Sequence, residues 1–331
     1  MARAEEDRMW IAPDDRRKLM RVLLTGGAGY LGTSVVAELS EHPDVSEIVV
    51  YDNLSRGNRS FFLGGPGSGQ PVRFIQGDML DSAKLPQVLN GIDVVMHLAA
   101  RVKTPFADEA THAMDQVNHW GTAELSYALE RSEVRRVVYT SSTAVYGHND
   151  QAADITDLPS PVTAYGVSKL AGEAMLKRLD NDMNVCIARC GNVYGFNRSM
   201  RFDAVVNRMA FDARFRGRVM IEGSGEQLRS FIHVDRVAAV LTELACGDHA
   251  SDTWNLVEHT RSVNQIAETL ESLYPELERM WIQPNLHVRS LAIHPDERLN
   301  AILGNEPSDF DSDARDMDAH FAFATGTGVI A

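Results

Sequence analysis

Apolar residues along this chain gather in short runs separated by amphipathic stretches. Arg21-Val-Leu-Leu-Thr25 is a brief apolar run that stops at Gly26, as a buried parallel strand does. From Tyr30 to Ser40 the apolar residues Leu31, Val35, Val36 and Leu39 recur at helical spacing. The alternation continues with predicted strands over Glu47–Tyr51, Val72–Gln76, Asp93–His97, Val134–Ser141 and Asn184–Arg189. Helices are predicted over Thr111–Arg131 and Ala164–Leu179. Strands that alternate with helices require crossover connections. The pattern therefore predicts an α/β fold built on a doubly wound, mostly parallel sheet covered on both faces.

Beyond about residue 195 the rhythm loosens. Short strands near Arg218–Ile221, Arg229–His233 and Thr253–Leu256 mix with helices at Asp235–Cys246 and Val263–Leu273, which reads as a smaller C-terminal α/β lobe. Ser55–Pro71, with five glycines, reads as a surface loop. Residues 1–20 read as a polar leader. From Pro307 onward the aspartates 309, 311, 313, 316 and 318 predict an acidic, solvated tail over 307–331.

Composition narrows the possible functions. The chain has 331 residues, 44% of them hydrophobic, enough for a large core and incompatible with wholesale disorder. A net charge of −14 repels phosphate backbones and anionic lipid, so neither nucleic acid nor a membrane surface is an expected partner. Three cysteines, Cys186, Cys190 and Cys246, form no CxxC pair and no disulfide framework. A reducing, cytoplasmic setting and no metal site are expected. No run of about 20 apolar residues spans a bilayer.

The strongest local signal is Thr25-Gly-Gly-Ala-Gly-Tyr-Leu-Gly32, placed between a predicted strand and a predicted helix. Glycines there permit a tight turn, a close backbone approach to a pyrophosphate and close helix–strand packing. The helix N-terminus adds free N–H groups. Asp52 follows Gly32 by 20 residues, at the end of the second strand. A carboxylate at that place accepts bonds from a ribose 2′-hydroxyl and repels a 2′-phosphate, which favours NAD over NADP. Arg56 nearby is the residue that could hold the extra phosphate of NADP.

Tyr165-Gly-Val-Ser-Lys169 places a phenol and an ammonium one helical turn apart on one face. A free phenol has a pKa of about 10, and lowering it by about 3 units takes about 4 kcal/mol. A cation about 4 Å away supplies that much at an effective dielectric of about 20. Lys169 is thus expected to make Tyr165 a working proton acceptor. The fifth strand ends in Thr140-Ser-Ser-Thr143, so Ser142 stands at the carboxyl edge of the sheet, where it can bond both a substrate oxygen and the Tyr165 hydroxyl.

With these residues in place, the chain resembles the extended short-chain dehydrogenases/reductases of the NAD-dependent epimerase/dehydratase family, the family of UDP-glucose 4-epimerase. The resemblance covers about residues 21–256. It rests on the glycine loop, Tyr51-Asp-Asn-Leu54, Gly77-Asp78, His97-Leu-Ala-Ala100, Asn118 with Gly121-Thr122, and Ser142 with Val145-Tyr-Gly147. It continues through Tyr165/Lys169, Arg189 with Asn192-Val-Tyr-Gly195, and Arg229 with Phe231-Ile-His-Val-Asp235. By that resemblance the fold is Rossmann-type. Residues 21–195, with some later segments returning to them, form the dinucleotide-binding domain, and residues 196–306 are mainly the substrate lobe. Gly26, Gly29, Tyr30, Leu31 and Gly32 would hold the pyrophosphate of a tightly bound NAD. Asp52 and Asn53 would meet the ribose, Asp78 and Met79 the adenine, and Leu98, Ala99 and Ala100 the cofactor's flank. Asn118 would support the active-site helix beside the cofactor. Tyr165 and Lys169 would touch the nicotinamide ribose as well as act with Ser142 in catalysis. Ser142, Thr143, Asn192 and Arg229 would contact the substrate, Arg229 through a nucleotide diphosphate. A homodimer paired through the helices at 111–131 and 164–179 is also implied.

The family runs several reactions. A 4,6-dehydratase of this family carries an Asp-Glu pair immediately after the catalytic hydroxyl residue, and a sugar-acid decarboxylase usually has Glu at the second of those positions. Here they are Thr143 and Ala144. The strand end therefore points to a nucleotide-sugar 4-epimerase. A ketoreductase or dehydrogenase of a sugar or other small carbonyl compound is the alternative, with a decarboxylase or a non-catalytic dinucleotide sensor behind it. Small residues at Cys190-Gly191, Phe196 where the family usually has Pro, and Ser230 where it usually has Asp leave the sugar unnamed. Arg101 and Lys103 are candidates to meet a carboxylate such as that of a uronic acid. Cys190 reads as a buried strand cysteine, and His119 as helix packing.

Overall fold

In the computed structural model, which describes residues 19–57, 59–63, 69–102, 111–148, 151–283, 290–304 and 306–321, successive side chains of each apolar run enter opposite layers. In β1 (Met20–Thr25), Val22 and Leu24 join one core and Leu23 the other. α1 (Tyr30–Glu41) follows, then β2 (Val45–Asp52), whose Ile48 and Val50 part from Val49 and Tyr51 in the same way. β3 (Val72–Gln76), the short α2 (Leu85–Val88) and β4 (Val94–His97) come next. α3 (Thr111–Met114) passes through a π-helical turn, Asp115–Trp120, into α4 (Gly121–Leu129). Then come β5 (Arg136–Ser142), α5 (Ala164–Lys177), β6 (Asn184–Cys190) and the short β7 (Asn192–Tyr194).

The second half contains α6 (Val205–Arg216), β8 (Arg218–Glu222), β9 (Leu228–His233), α7 (Val234–Cys246), β10 (Asp252–Leu256) and β11 (His259–Ser262). It continues with α8 (Val263–Leu273), β12 (Glu278–Ile282), α9 (Asn300–Leu303) and α10 (Phe310–Phe321). The main sheet has seven parallel strands in the order β10-β6-β5-β4-β1-β2-β3. One face is covered by α1 and α7, through Val35, Leu39, Val237 and Leu241. The other is covered by α2, α4 and α5, through Leu85, Leu125, Leu129 and Leu176. The lobe holds a three-stranded sheet, β11-β9-β7, and a β12-β8 pair. It has its own core around Met209, Phe231, Ile266 and Phe310.

Three differences from the sequence reading have physical causes. Thr253–Leu256, assigned above to the lobe, is in β10, the edge strand of the main sheet beside β6, and α7 returns with it to cover that sheet. The single helix expected over Thr111–Arg131 carries a π turn, which directs Asn118 inward until it is fully buried. The acidic stretch is no solvated tail over 310–321. Phe310, Ala314, Met317 and Phe321 share one buried face of α10 against the lobe core, while Asp311 and Asp316 stay exposed on the other. Residues 322–331, and the leader up to residue 18, lie outside the described residues. No helix among the described residues is long and apolar enough to cross a membrane.

A buried ionic network ties the sheet to α5. The Glu173 carboxylate accepts from Arg189 Nε at 3.0 Å and Nη2 at 2.8 Å, and from Ser141 Oγ at 2.6 Å. Arg189 Nη1 donates to the Tyr146 hydroxyl at 2.9 Å, and that hydroxyl donates to Asn255 Oδ1 at 2.8 Å. The network thus spans α5, β5, β6 and β10. Removing one partner would strand a charge in the interior. Arg189→Met is therefore expected to lower the unfolding free energy by about 3–5 kcal/mol, read from urea denaturation followed by circular dichroism.

Candidate active site

A cleft of about 650 Å³ opens at the carboxyl ends of the strands, between the main sheet and the lobe. It lies where the strand order reverses, between β1 and β4, the place where sheets of this kind bind ligands. Gly26 leaves β1 with φ +71°, and a side chain there would come within 2.6 Å of the Ala99 backbone. At Gly32 a side chain would come as close to the backbone of Gly26 and Gly27. Gly29 caps the start of α1 in extended conformation. The result is a bare-backbone turn against a helix N-terminus, a cradle for phosphate oxygens. Tyr30 and Leu31 lie on its rim, and Leu98, Ala99 and Ala100 line the opposite wall.

Asp52 ends β2. Its carboxylate accepts from the Ala28 amide at 3.1 Å and the Leu54 amide at 2.7 Å. Burial raises its pKa from the usual carboxylate value, and the two amides act the other way. Asn53 Nδ2 donates to Asp78 Oδ2 at 2.7 Å, and Met79 lies buried at the floor. These residues form one continuous wall from the glycine turn outward, and a dinucleotide fits their chemistry: amides for phosphate, a carboxylate for a ribose diol. Asn118 is not on that wall. It sits behind it, with Oδ1 accepting from the Arg101 amide at 2.7 Å and Nδ2 donating to Arg101 O at 2.9 Å and to Ser168 Oγ at 3.0 Å. It braces α5 against the loop after β4.

Ser142 ends β5 and caps the following turn, its Oγ accepting from the Ala144 amide at 3.2 Å. Thr163 caps α5, which brings Tyr165 into the cleft at the helix start. The Ser142 hydroxyl lies near the Tyr165 phenol and favours its ionised form. Lys169 is 1% exposed and reaches toward β5, its Nζ 4.4 Å from the centroid of the Tyr139 ring. Tyr165 and Lys169 thus share the inner face of α5, one at the helix start and the other one turn on. Burial pushes the Tyr165 phenol up to about 12, with Arg201 and Ser142 acting the other way and Cys190 adding to the rise. Burial also pulls the Lys169 ammonium down to about 8, opposed by Cys190 and Glu173.

Thr143 and Asn192 line the cleft, Asn192 donating to Ser230 O at 3.0 Å. Arg229 lines it from β9 with Nη1 donating to Leu228 O at 2.8 Å. Cys190 is buried on β6 at the cleft floor, its thiol pushed up to about 12 by burial. His119 pairs with Asp115 on its own helix. Lys103 lies outside the described residues.

Sequence reasoning missed a group of charged residues from the lobe. Arg201 is held by Asp203 through Nε at 3.2 Å and Nη2 at 2.8 Å, and Arg56 reaches the same carboxylate at 3.4 Å. Arg56 is thereby turned toward the lobe. The loop that carries Arg201 and Asp203 is tied to the glycine turn and α1. The Tyr30 hydroxyl donates to Gly195 O at 2.6 Å, Asn197 Nδ2 to Tyr30 O at 2.8 Å, and Thr33 Oγ1 to Ser199 Oγ at 2.7 Å. Nothing periodic marks residues 195–204, so no sequence signal pointed to them.

Comparison with known proteins agrees with this geometry. A family model described as "NAD dependent epimerase/dehydratase family" matches residues 22–256. A dTDP-D-glucose 4,6-dehydratase of Mus musculus is 32% identical over 264 residues, 77% of this chain and 73% of that protein. A UDP-glucose 4-epimerase of Mycolicibacterium smegmatis is 32% identical over 225 residues, 66% of this chain and 71% of that protein. The solved structure of MoeE5 in complex with UDP-glucose and NAD covers 90% of this chain and 97% of its own, with TM-score 0.76 and 29% identity. If the Asp52 carboxylate reads a ribose diol, Asp52→Ala should weaken NAD binding about tenfold and narrow the gap to NADP, measured by titration calorimetry with both dinucleotides.

Proposed function

We propose, from the premise that this chain belongs to the NAD-dependent epimerase/dehydratase family, that it is a nucleotide-sugar 4-epimerase acting through a transient 4-keto sugar. The observation that carries this reading is the end of β5. Thr143 and Ala144 follow Ser142 on the cleft wall, and neither carries an acid that could drive loss of water from the sugar. A dehydratase and an epimerase among the relatives match at the same 32% identity, so it is the acid-free end of β5 that favours the epimerase reading.

Bound NAD supplies reversible acceptance of two electrons at carbon 4 of the sugar. Gly26, Gly29, Tyr30, Leu31 and Gly32 would hold it at the pyrophosphate, and Asp52, Asn53, Asp78 and Met79 at the adenosine. Leu98, Ala99 and Ala100 would flank it, with Tyr165 and Lys169 at its nicotinamide ribose. The chain's own residues then handle position and protons. Ser142 holds the 4-oxygen of the sugar. Tyr165 takes the proton from that oxygen at its phenolate and returns it there after the ketone has presented its other face. Arg201 and Ser142 favour the ionised phenol against the burial that opposes it. Arg229 and Asn192, with the lobe over 196–306, take the nucleotide diphosphate and the sugar. Three free thiols suit a reducing, cytoplasmic setting. Trp120, Tyr127 and Val167 expose an apolar face on the helical segments that would pair in a homodimer.

The test is a panel of UDP-, GDP-, CDP- and dTDP-sugars incubated with the purified protein while reduced cofactor is followed by absorbance. The expected outcome is interconversion of 4-epimers with no cofactor added. Accumulation of a 4-keto-6-deoxy sugar would make it a dehydratase, and stoichiometric consumption of added NADH a reductase. Tyr165→Phe is expected to lower turnover about 10²–10⁴-fold while leaving NAD binding intact, as loss of a proton-transfer group does.

A further inference from the structure

We propose that Tyr139 is the positioning residue for Lys169, its buried ring face holding the ammonium in place and charged where no carboxylate is free to do so. The geometry is that of a cation over a ring face, 4.4 Å from ammonium to centroid, well inside the reach of this interaction. Lys169 is 1% exposed, and among the described residues its ammonium is in no salt bridge. The groups facing it come from four elements. On its own helix α5 stands Glu173, on β6 Cys190, on β4 His97, and on β5 Tyr139 itself. The Glu173 carboxylate accepts from Arg189 and Ser141, and acts on the ammonium through space rather than through a bond. Burial pushes the Cys190 thiol up to about 12 and pulls His97 down to about 3, which favours the uncharged form of both. What remains in direct contact is the electron-rich face of Tyr139.

That face is held rigidly. The ring stacks on His97 with centroids 5.3 Å apart and planes 24° from parallel. His97 is pinned in turn by Thr25 Oγ1 at 2.6 Å and Thr122 Oγ1 at 2.9 Å. The Tyr139 hydroxyl finds no hydrogen-bond partner, since Thr122 beside it is engaged by His97 and donates to Asn118 O. Gly172 leaves the space that the hydroxyl fills. A fully buried phenol with an unused hydroxyl is costly to keep. The ring, not the oxygen, is therefore the functional part.

The experiment grades the ring's electron density without changing its shape. Lysine labelled with ¹³Cε and ¹⁵Nζ is followed by NMR from pH 6 to 11, with Lys169 assigned by comparison with Lys169→Met. Position 139 carries tyrosine, phenylalanine (Tyr139→Phe), difluorophenylalanine or pentafluorophenylalanine. A weaker ring favours the charged amine less, so the Lys169 midpoint should fall along the series. Tyrosine and phenylalanine should be alike, and the pentafluoro ring about one pH unit lower. The alkaline limb of turnover should move by the same amount. That second arm rests on the proposed epimerase activity, whereas the NMR arm does not, so a protein inert toward every sugar still answers the question. A Lys169 midpoint that stays constant across the four rings overturns the proposal and leaves Tyr139 as packing.

Discussion

Burying an ammonium away from any free carboxylate is among the costliest things a fold can do. The arrangement around Lys169 is organised by that constraint. β4, β5, β6 and α5 meet there, and each contributes something that offsets the cost: a clamped imidazole, an aromatic face, a neutral thiol, and a carboxylate on the same helix face that acts through space while bonded elsewhere. The Glu173–Arg189 pair makes the surrounding walls stiff, so the ammonium cannot relieve its burial by letting the sheet edge drift.

The Tyr165–Lys169 spacing showed the shared face but not what else surrounds each side chain. Four residues along a helix fix the shared face but not the direction of two long side chains. Lys169 bends to the strand below, while Tyr165 stays at the helix start beside Ser142. Arg201, in a loop of the lobe, adds a charge that favours the ionised phenol. The groups that tune the Tyr165 phenol thus come from both halves of the chain, Ser142 from the main sheet and Arg201 from the lobe.

Much of the fold was legible because the main sheet is covered on both sides. Val22 to Leu24, Ile48 to Tyr51 and Val137 to Tyr139 read as continuous apolar runs, and each proved to feed two cores. The glycine turn was legible because sterics leave no alternative to a missing side chain at Gly26 or Gly32. Other features carried no local mark. β10 looks like any short strand, and only its pairing with β6 assigns it to the main sheet. The π turn at Asn118 inserts no unusual residue type. α10 is acidic enough to resemble a tail, and its apolar positions gain meaning only beside the lobe core that receives them. Arg201 and Asp203 come together with Arg56 from 145 or more positions away, a separation no window of sequence can span.

The loop over 195–204 belongs to the lobe by its side chains and to α1 by its hydrogen bonds. One flank of the substrate chamber is consequently riveted to the turn that would grip the dinucleotide. Any swing of the lobe away from the glycine turn would have to break the bonds at Tyr30, Thr33 and Asn197 together.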